Sequence, residues 1–566
     1  MKRIRALRAL AATLAVGAAL AGCTNKEPAE NRPVPSSSAA NAGTAAPSDT
    51  SRASGEASGR ESTAAAGSAG AVDAAVDEQP SIVYYEIFVR SFADSDGDGI
   101  GDLNGIAGKL DYLQKLGVEG IWLTPINPSP SYHGYDVTDY YGVNPEFGTM
   151  DDFKKLLAEA HGRGMKVIMD LVVNHTSSQH PWFVDSASGK DAKRRDWYLW
   201  AEDQGLSTAA ASAQGGVAWH EKNGGHYEAT FWDGMPDLNF DNPEVREEMK
   251  KIGRFWLGQG VDGFRLDAAK HVYEDFKSQA GDKEVAKKNQ LWWQEFRQGL
   301  NEANPNAYLV GEVWSSSAAV APYLNGAFDS SFNFDVSDWI RGAVVSGRAS
   351  SMTAMLPRYY ALFAKESGGR FVDAPFANNH DRDRLMSLVQ GDANKAKLAA
   401  SMLLTLPGNP FLYYGEEIGL RGSGADERKR EPMLWTAAAG GEGETSWEPL
   451  VANRGREASV EEQIDDPNSL FNHYRKFIEL RKKEPALRDG ALESMPTASQ
   501  AIAAYVRTTG KEKLYVAHNL TGEALTAKVD ERSAAAFSEI LFATGEGASY
   551  EDGNVAIPPY GTVILR

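Results

Sequence analysis

The chain has 566 residues, a formal net charge of −19 and a single cysteine. That length exceeds what one hydrophobic core organises, so several domains are expected. The acidic balance argues against nucleic acid as a partner and suits an enzyme acting on a neutral substrate, and one cysteine excludes an intrachain disulfide framework.

Lys2, Arg3, Arg5 and Arg8 precede an apolar run from Leu10 to Leu20, too short for a mature transmembrane helix. The run ends in Leu20-Ala21-Gly22-Cys23. This resembles a bacterial lipoprotein signal, in which the cysteine becomes the lipidated first residue after cleavage. Residues 1–23 are therefore expected to be a signal peptide and Cys23 the site of lipidation. The protein is then exported and lipid-anchored at the bacterial cell envelope, on the extracytoplasmic side, and meets the membrane through that anchor only. Residues 24–79 are rich in Ala, Ser, Gly and Pro. Such a segment buries too little surface to offset its ordering entropy, and it reads as a disordered tether.

The first strand is predicted over 82–92, and it leads into Asp94-Ser-Asp96-Gly-Asp98-Gly-Ile100-Gly-Asp102. Asp at alternate positions with Gly at the sixth is the spacing of an EF-hand-type calcium loop. Asp94, Asp96, Asp98 and Asp102 are expected to ligate by side chain and Ile100 by carbonyl. The Glu expected at the twelfth position is replaced by Gly105. Four carboxylates so close together would repel one another without a cation, so calcium is expected as a cofactor.

Ile106, Leu110, Leu113 and Leu116 mark a helix, and 120–126 a second strand. Thr149-x-x-Asp152 opens another helix, and 166–173 is the third strand. This alternation predicts βαβ units with right-handed crossovers and, repeated, a (β/α)₈ TIM barrel. After His175 the alternation stops, so 176–242 is read as an irregular inserted subdomain. It then resumes with a helix over 243–257, a strand over 261–267, a helix over 289–303 and a strand over 307–314. Further strands are predicted over 328–336, 370–381 and 410–417, and a closing helix over 467–483. The barrel thus comprises 80–175 and 243–484. Residues 485–566 show short β-like runs and are predicted to form an all-β sandwich.

Four strand-like runs end in charged or polar groups: Asp170 to His175, Arg265-x-Asp267, Glu312, and Asn379-His380-Asp381. An isolated Arg-x-Asp is most simply an ion pair. Four such ends on one barrel instead point to an active site at the C-terminal face. Arg265 beside Asp267 is expected to hold that carboxylate ionised, and apolar neighbours to raise the pKa of Glu312.

These stretches occur in the order found in the α-amylase family of glycoside hydrolases, family 13. Gly120–Ile126, Asp170–His175, Met235-Pro-Asp237-Leu-Asn239, Arg265–His271, Glu312-Val-Trp314, Asn379–Asp381 and Pro410–Glu417 carry the resemblance, which covers nearly all of 81–566. It implies Asp267 as nucleophile, Glu312 as general acid/base and Asp381 as the carboxylate that stabilises the transition state. It implies Arg265 as the residue orienting the nucleophile, and His175 and His380 as binders of sugar hydroxyls. Tyr135 would be the aromatic platform, and Lys270 and His271 would serve the reducing side. In the family a second calcium ties the insertion to the barrel; Asn174, Asp237 and the His271 carbonyl stand at its positions.

Lys270-His271 is similar to α-amylases proper. Tyr132 stands where oligo-1,6-glucosidases carry a pocket-closing Asp, which implies an open cleft. The acidic loop is similar to the oligo-1,6-glucosidase and neopullulanase branch, and Met235–Asn239 mixes both. The chain therefore resembles an intermediary-group amylase: a monomeric, retaining, endo-acting enzyme on α-1,4 bonds of starch and maltooligosaccharides. Alternatives are an α-glucosidase or cyclomaltodextrinase type, or a transglycosylating relative similar to trehalose synthase. A non-catalytic starch-binding protein is disfavoured because all three carboxylates are present.

Overall fold

The computed structural model describes residues 81–456, 458–510, 512–530 and 534–566. The expected signal with Cys23 and the tether lie outside them. The strands are β1 (Tyr84–Ile87), β2 (Gly120–Leu123), β3 (Lys166–Leu171), β4 (Trp219–Lys222), β5 (Gly225–Glu228), β6 (Gly263–Leu266), β7 (Tyr308–Gly311), β8 (Ser330–Ser331) and β9 (Phe411–Tyr413). Seven of them form one parallel sheet in the order β8-β7-β6-β3-β2-β1-β9. Parallel bridges from Phe332 to Ala374 and from Phe376 to Phe411 join its two edges. The ring therefore closes with the segment around Ala374–Phe376 as its eighth stave, and the fold is a TIM barrel.

Several expected strands are shorter than predicted. Residues Val89–Phe92 turn into a helical turn rather than extending β1. The sixth strand stops because the Asn333 side chain accepts from the Val336 amide and starts the helix Phe334–Ser346. The seventh is reduced to two bridges, and Pro375 between them has no N–H for a ladder. The helix expected from Ile106 to Leu116 is two pieces, Leu103–Gly108 and Leu110–Leu116, stopped by Gly117 at φ +100°. Thr149 and Asp152 form the expected capping box on the helix Met150–Gly162.

Inside the barrel Tyr84, Trp122, Ile168, Tyr308, Val310, Phe332 and Phe411 pack in one cluster. Tyr84 stacks on both Tyr308 and Phe411, at 5.4 and 4.8 Å. The interior is thus a filled aromatic floor, and the polar ends of the strands stand on it. The stretch between β3 and the helix Pro243–Gln259 holds two short α-helices, a 3-10 turn and the β4–β5 hairpin. Trp200 and Trp219 are buried there, as core residues.

At the C-terminal end are β10 (Ala491–Ser494), β11 (Ile502–Thr509), β12 (Glu512–Asn519), β13 (Leu525–Lys528), β14 (Ile540–Ala543), β15 (Ser549–Glu551), β16 (Asn554–Ile557) and β17 (Thr562–Leu565). They form sheets in the orders β10-β11-β12-β17-β14 and β13-β16-β15. Val506, Tyr515, Val529, Val555, Ile557 and Val563 fill the space between them. This is the expected all-β domain.

Candidate active site

Arg265, on β6, is the hub. It is 1% exposed, and such a charge has to be paired. Its Nη1 donates to Asp267 Oδ1 at 2.5 Å and to Asp170 Oδ1 at 2.8 Å, and its Nη2 reaches Glu312 Oε2 at 2.8 Å. One guanidinium thus touches both carboxyl groups of the expected catalytic pair. Retaining glycosidases need such a pair of carboxyl groups close together.

Two main-chain features complete the pair. Ala268, next to Asp267, takes φ +47°, which is unusual for a residue with a Cβ. That turn aims its N–H at Glu312 Oε2, at 3.1 Å, and the Ala269 N–H donates to the Glu312 carbonyl at 3.0 Å. Burial pushes the Glu312 carboxyl up to about 7, with Arg265 opposing and the charges of Asp267 and Asp381 adding. Burial also raises Asp267, and Arg265 pulls it back.

Asp381 lies on the loop after the Ala374–Phe376 stave, with its side chain 30% exposed. His380 Nε2 is 3.1 Å from Asp381 Oδ2 and 2.8 Å from the Tyr135 hydroxyl. The Tyr135 hydroxyl also donates to Asp170 Oδ2 at 2.9 Å, and the Tyr135 and His380 rings stack at 5.4 Å. The structure therefore brings Asp267, Glu312, Asp381, Arg265, Tyr135 and His380 into one network. His175 is fully buried, burial holds its pKa down at about 3, and its Nε2 has no hydrogen-bond partner among the described residues.

Lys270 and His271 do not join the contacts around Arg265. Lys270 Nζ lies 3.4 Å from Glu274. His271 has protein partners at both ring nitrogens, the Glu274 carbonyl at 2.8 Å and Gln214 Nε2 at 2.9 Å.

Sequence reasoning missed three members. Asp170 stands in the sequence only as part of a motif; it accepts from Arg265, Tyr135 and Trp122. Glu86, on β1, sits under His380. Arg430, which follows β9, contacts Asp381. The only local signal for Arg430 is a basic run, Arg428-Lys429-Arg430, in an acidic chain.

The acidic loop folds around its own carboxylates. Asp94 accepts from the amides of Asp96, Gly97 and Gly99, and Asp102 from Ser95 and Gly105. Side-chain oxygens of Asp94, Asp96 and Asp102 lie within 4.8 Å of one another, a set of hard donors that fits calcium. Asp98 is not among them; it is exposed and accepts from the Ile100 amide at 2.7 Å.

Around the second expected position, Asn174 Nδ2 donates to Asp237 Oδ1 at 2.9 Å, leaving Asn174 Oδ1 buried and unpartnered among the described residues. Both carboxylate oxygens of buried Glu228 are equally without partners there. Burial, then the charges of Asp275 and Asp237, hold Glu228 well above the usual carboxylate range. Orphaned oxygens beside buried acids fit a hard cation.

A parallel barrel with paired carboxyl groups at its strand ends is the frame of a glycoside hydrolase. Residues 86–490 match the alpha-amylase catalytic domain, and residues 502–564 the C-terminal domain of alpha-amylase SusG. The chain belongs to the alpha-amylase family, glycoside hydrolase family 13. It is similar to alpha-amylase 3 of Dictyoglomus thermophilum, with 44% identity covering 86% of this chain and 93% of that protein. It is also similar to oligo-1,6-glucosidase of Parageobacillus thermoglucosidasius, with 34% identity over 78% of this chain and 90% of that one. The crystal structure of alpha-amylase from H. orenii superposes with a TM-score of 0.78 at 44% identity, over 86% of this chain and 99% of that one.

Proposed function

We propose that the protein is a retaining, endo-acting α-amylase that hydrolyses internal α-1,4-glucosidic bonds of starch and maltooligosaccharides. The observation that carries this reading is the contact of one guanidinium, Arg265, with both Asp267 and Glu312. Asp267 attacks the anomeric carbon while Glu312 gives its proton to the departing glucosidic oxygen. A glycosyl ester on Asp267 results. Glu312, now ionised, takes a proton from a water that attacks the same carbon and frees Asp267, so configuration is retained. Asp381 stabilises the positive charge that develops on the sugar in the transition state of each step. Tyr135 lies beneath that sugar, and His175 and His380 meet its hydroxyls. Lys270 and His271 serve the leaving side.

Asp267→Asn is expected to lose several orders of magnitude in kcat while still binding oligosaccharide. Near-normal turnover in that variant overturns the assignment. Endo attack is read from a fall in starch viscosity that precedes the release of small sugars.

One observation favours a chain-end-acting reading. Tyr132 stacks on Trp447 at 5.2 Å, and Arg430 donates to its hydroxyl at 3.3 Å beside Asp381. Bulky groups beside Asp381 would suit a site closed around a chain end. Release of glucose alone from chain ends, with viscosity unchanged, is the result that decides for it.

The reading extends to calcium. Asp94, Asp96 and Asp102 with the Ile100 carbonyl would hold one ion, and Asn174, Asp237 and the His271 carbonyl a second. The ions would stabilise the fold and supply no chemistry. Lipidation at Cys23, export to the cell envelope, a monomeric state and membership of the intermediary group are proposed on the sequence motifs given above.

A further inference from the structure

Glu86 lies on β1 in register with Trp122 and Tyr413, one inward position above Tyr84. It is 1% exposed, and a carboxyl group that deep is costly without a partner. Its Oε1 accepts from the His380 main-chain N–H at 3.2 Å and faces the ring Nδ1 at 2.6 Å. The imidazole thus stands between a buried carboxyl group and Asp381.

The groups around the ring favour one placement of its protons. The Tyr135 hydroxyl donates its single proton to Asp170, which also accepts from Arg265 and Trp122. Its oxygen is left as an acceptor toward His380 Nε2, at 2.8 Å. Asp381 Oδ2, at 3.1 Å, is an acceptor too. Nε2 faces two acceptors, so it carries a hydrogen. The proton across the 2.6 Å contact then rests on Glu86 or on Nδ1, and either placement leaves Nε2–H intact. The hydrogen bond at one ring nitrogen thus sets the state of the other. Burial, then Asp381, raises Glu86; burial, then Arg430, Arg265, Lys429 and His133, lowers His380. Both directions suit one proton shared between them.

We infer that Glu86 is a positioning residue for the reaction: it keeps Nε2 of His380 protonated, so that an N–H and not a lone pair faces Asp381 across 3.1 Å. This rests on the reading of Asp381 as the stabilising group. A mere strut for the His380 main chain needs only an acceptor oxygen, and glutamine supplies one. In Glu86→Gln the same oxygen must accept from both the main-chain N–H and Nδ1–H. The ring is then neutral with Nε2 bare, facing a carboxylate oxygen.

The test has two parts. Nitrogen-15 NMR of histidine-labelled wild type, with His380 identified by the signal lost in His380→Asn, reads the tautomer without reference to activity. At neutral pH the ring is expected to be protonated at Nε2, and Glu86→Gln to move the proton to Nδ1. A bare Nε2 in the wild type overturns the inference, whether or not any variant folds. In kinetics on soluble starch, Glu86→Gln is expected to lower kcat roughly ten- to a hundredfold with KM within about twofold. The double variant should fall within about twofold of His380→Asn alone. Unchanged kcat in Glu86→Gln, or additive losses in the double variant, overturns it. A wild type that cleaves no α-glucan defeats the proposed function instead, and leaves the tautomer result to stand or fall by itself.

Discussion

Arg430 Nη2 lies 3.1 Å from Asp381 Oδ1, although 49 residues separate the two in sequence. The same guanidinium donates through Nε to the His380 carbonyl at 3.2 Å. One buried side chain therefore holds both the carboxyl group and the main chain that presents it. Arg430→Ala is expected to reduce kcat/KM about a hundredfold, because a displaced reacting group costs on that order. Arg430→Lys should fall between, since lysine keeps the charge and loses the fork. Steady-state kinetics, with thermal unfolding to confirm a folded variant, checks this. Full kcat/KM in Arg430→Ala means that Asp381 is oriented without it.

The pH dependence follows from Glu312, whose carboxyl is raised to about 7, chiefly by burial. The proton donor is the protonated form. kcat/KM is therefore expected to fall as pH rises through about 7, with one proton lost on that limb. For stability the sign is the same. A carboxyl raised in the folded state contributes stability below its ordinary value of 4.5, and that contribution is lost as pH rises through about 7. Glu312→Gln should remove the limb together with most of the turnover. A basic limb unchanged in the residual activity of that variant would assign the group elsewhere.

The barrel was legible because buried strands flanked by Gly, with charged ends, recur along the chain. Asp267 and Glu312 were picked out by the family resemblance, and the structure brings both to Arg265. Glu86 was not: a single acid in an aromatic strand meets its partner, His380, 294 residues later. The left-handed turn at Ala268 was equally hidden, since alanine carries no preference for it. The stacking of Tyr132 on Trp447 was hidden as well, since the two rings are remote in sequence. Local pattern places elements; the partners of a buried charge follow from closure of the ring.

Cys23 lies outside the described residues, and its role rests on the sequence alone. Cys23→Ser is expected to release the protein from membranes, because a lipid chain is the anchor proposed. Fractionation of cells expressing both forms reads this directly. A serine variant that stays with the membrane fraction removes the lipid anchor from the account.

The acidic loop does more than shield its own charges. The Gly99 carbonyl accepts from the amides of Ser446 and Trp447, at 2.7 and 3.0 Å, and the Asp94 amide donates to the Gly443 carbonyl at 3.1 Å. A cation that binds only the folded loop stabilises the protein by mass action, by about 2.7 kcal/mol at a free concentration near 100 Kd. EDTA should therefore lower Tm and added calcium restore it. Asp96→Ala should remove most of that response if this loop is the main site, because Asp96 is one of its three converging acids. Glu228 separates the second site from the first. With calcium at Asn174 and Asp237, Glu228→Gln should lower the calcium content and the Tm. Without it, the same change removes an uncompensated buried acid and should raise the Tm. A Tm indifferent to EDTA and calcium, with no calcium found by elemental analysis, overturns both sites together.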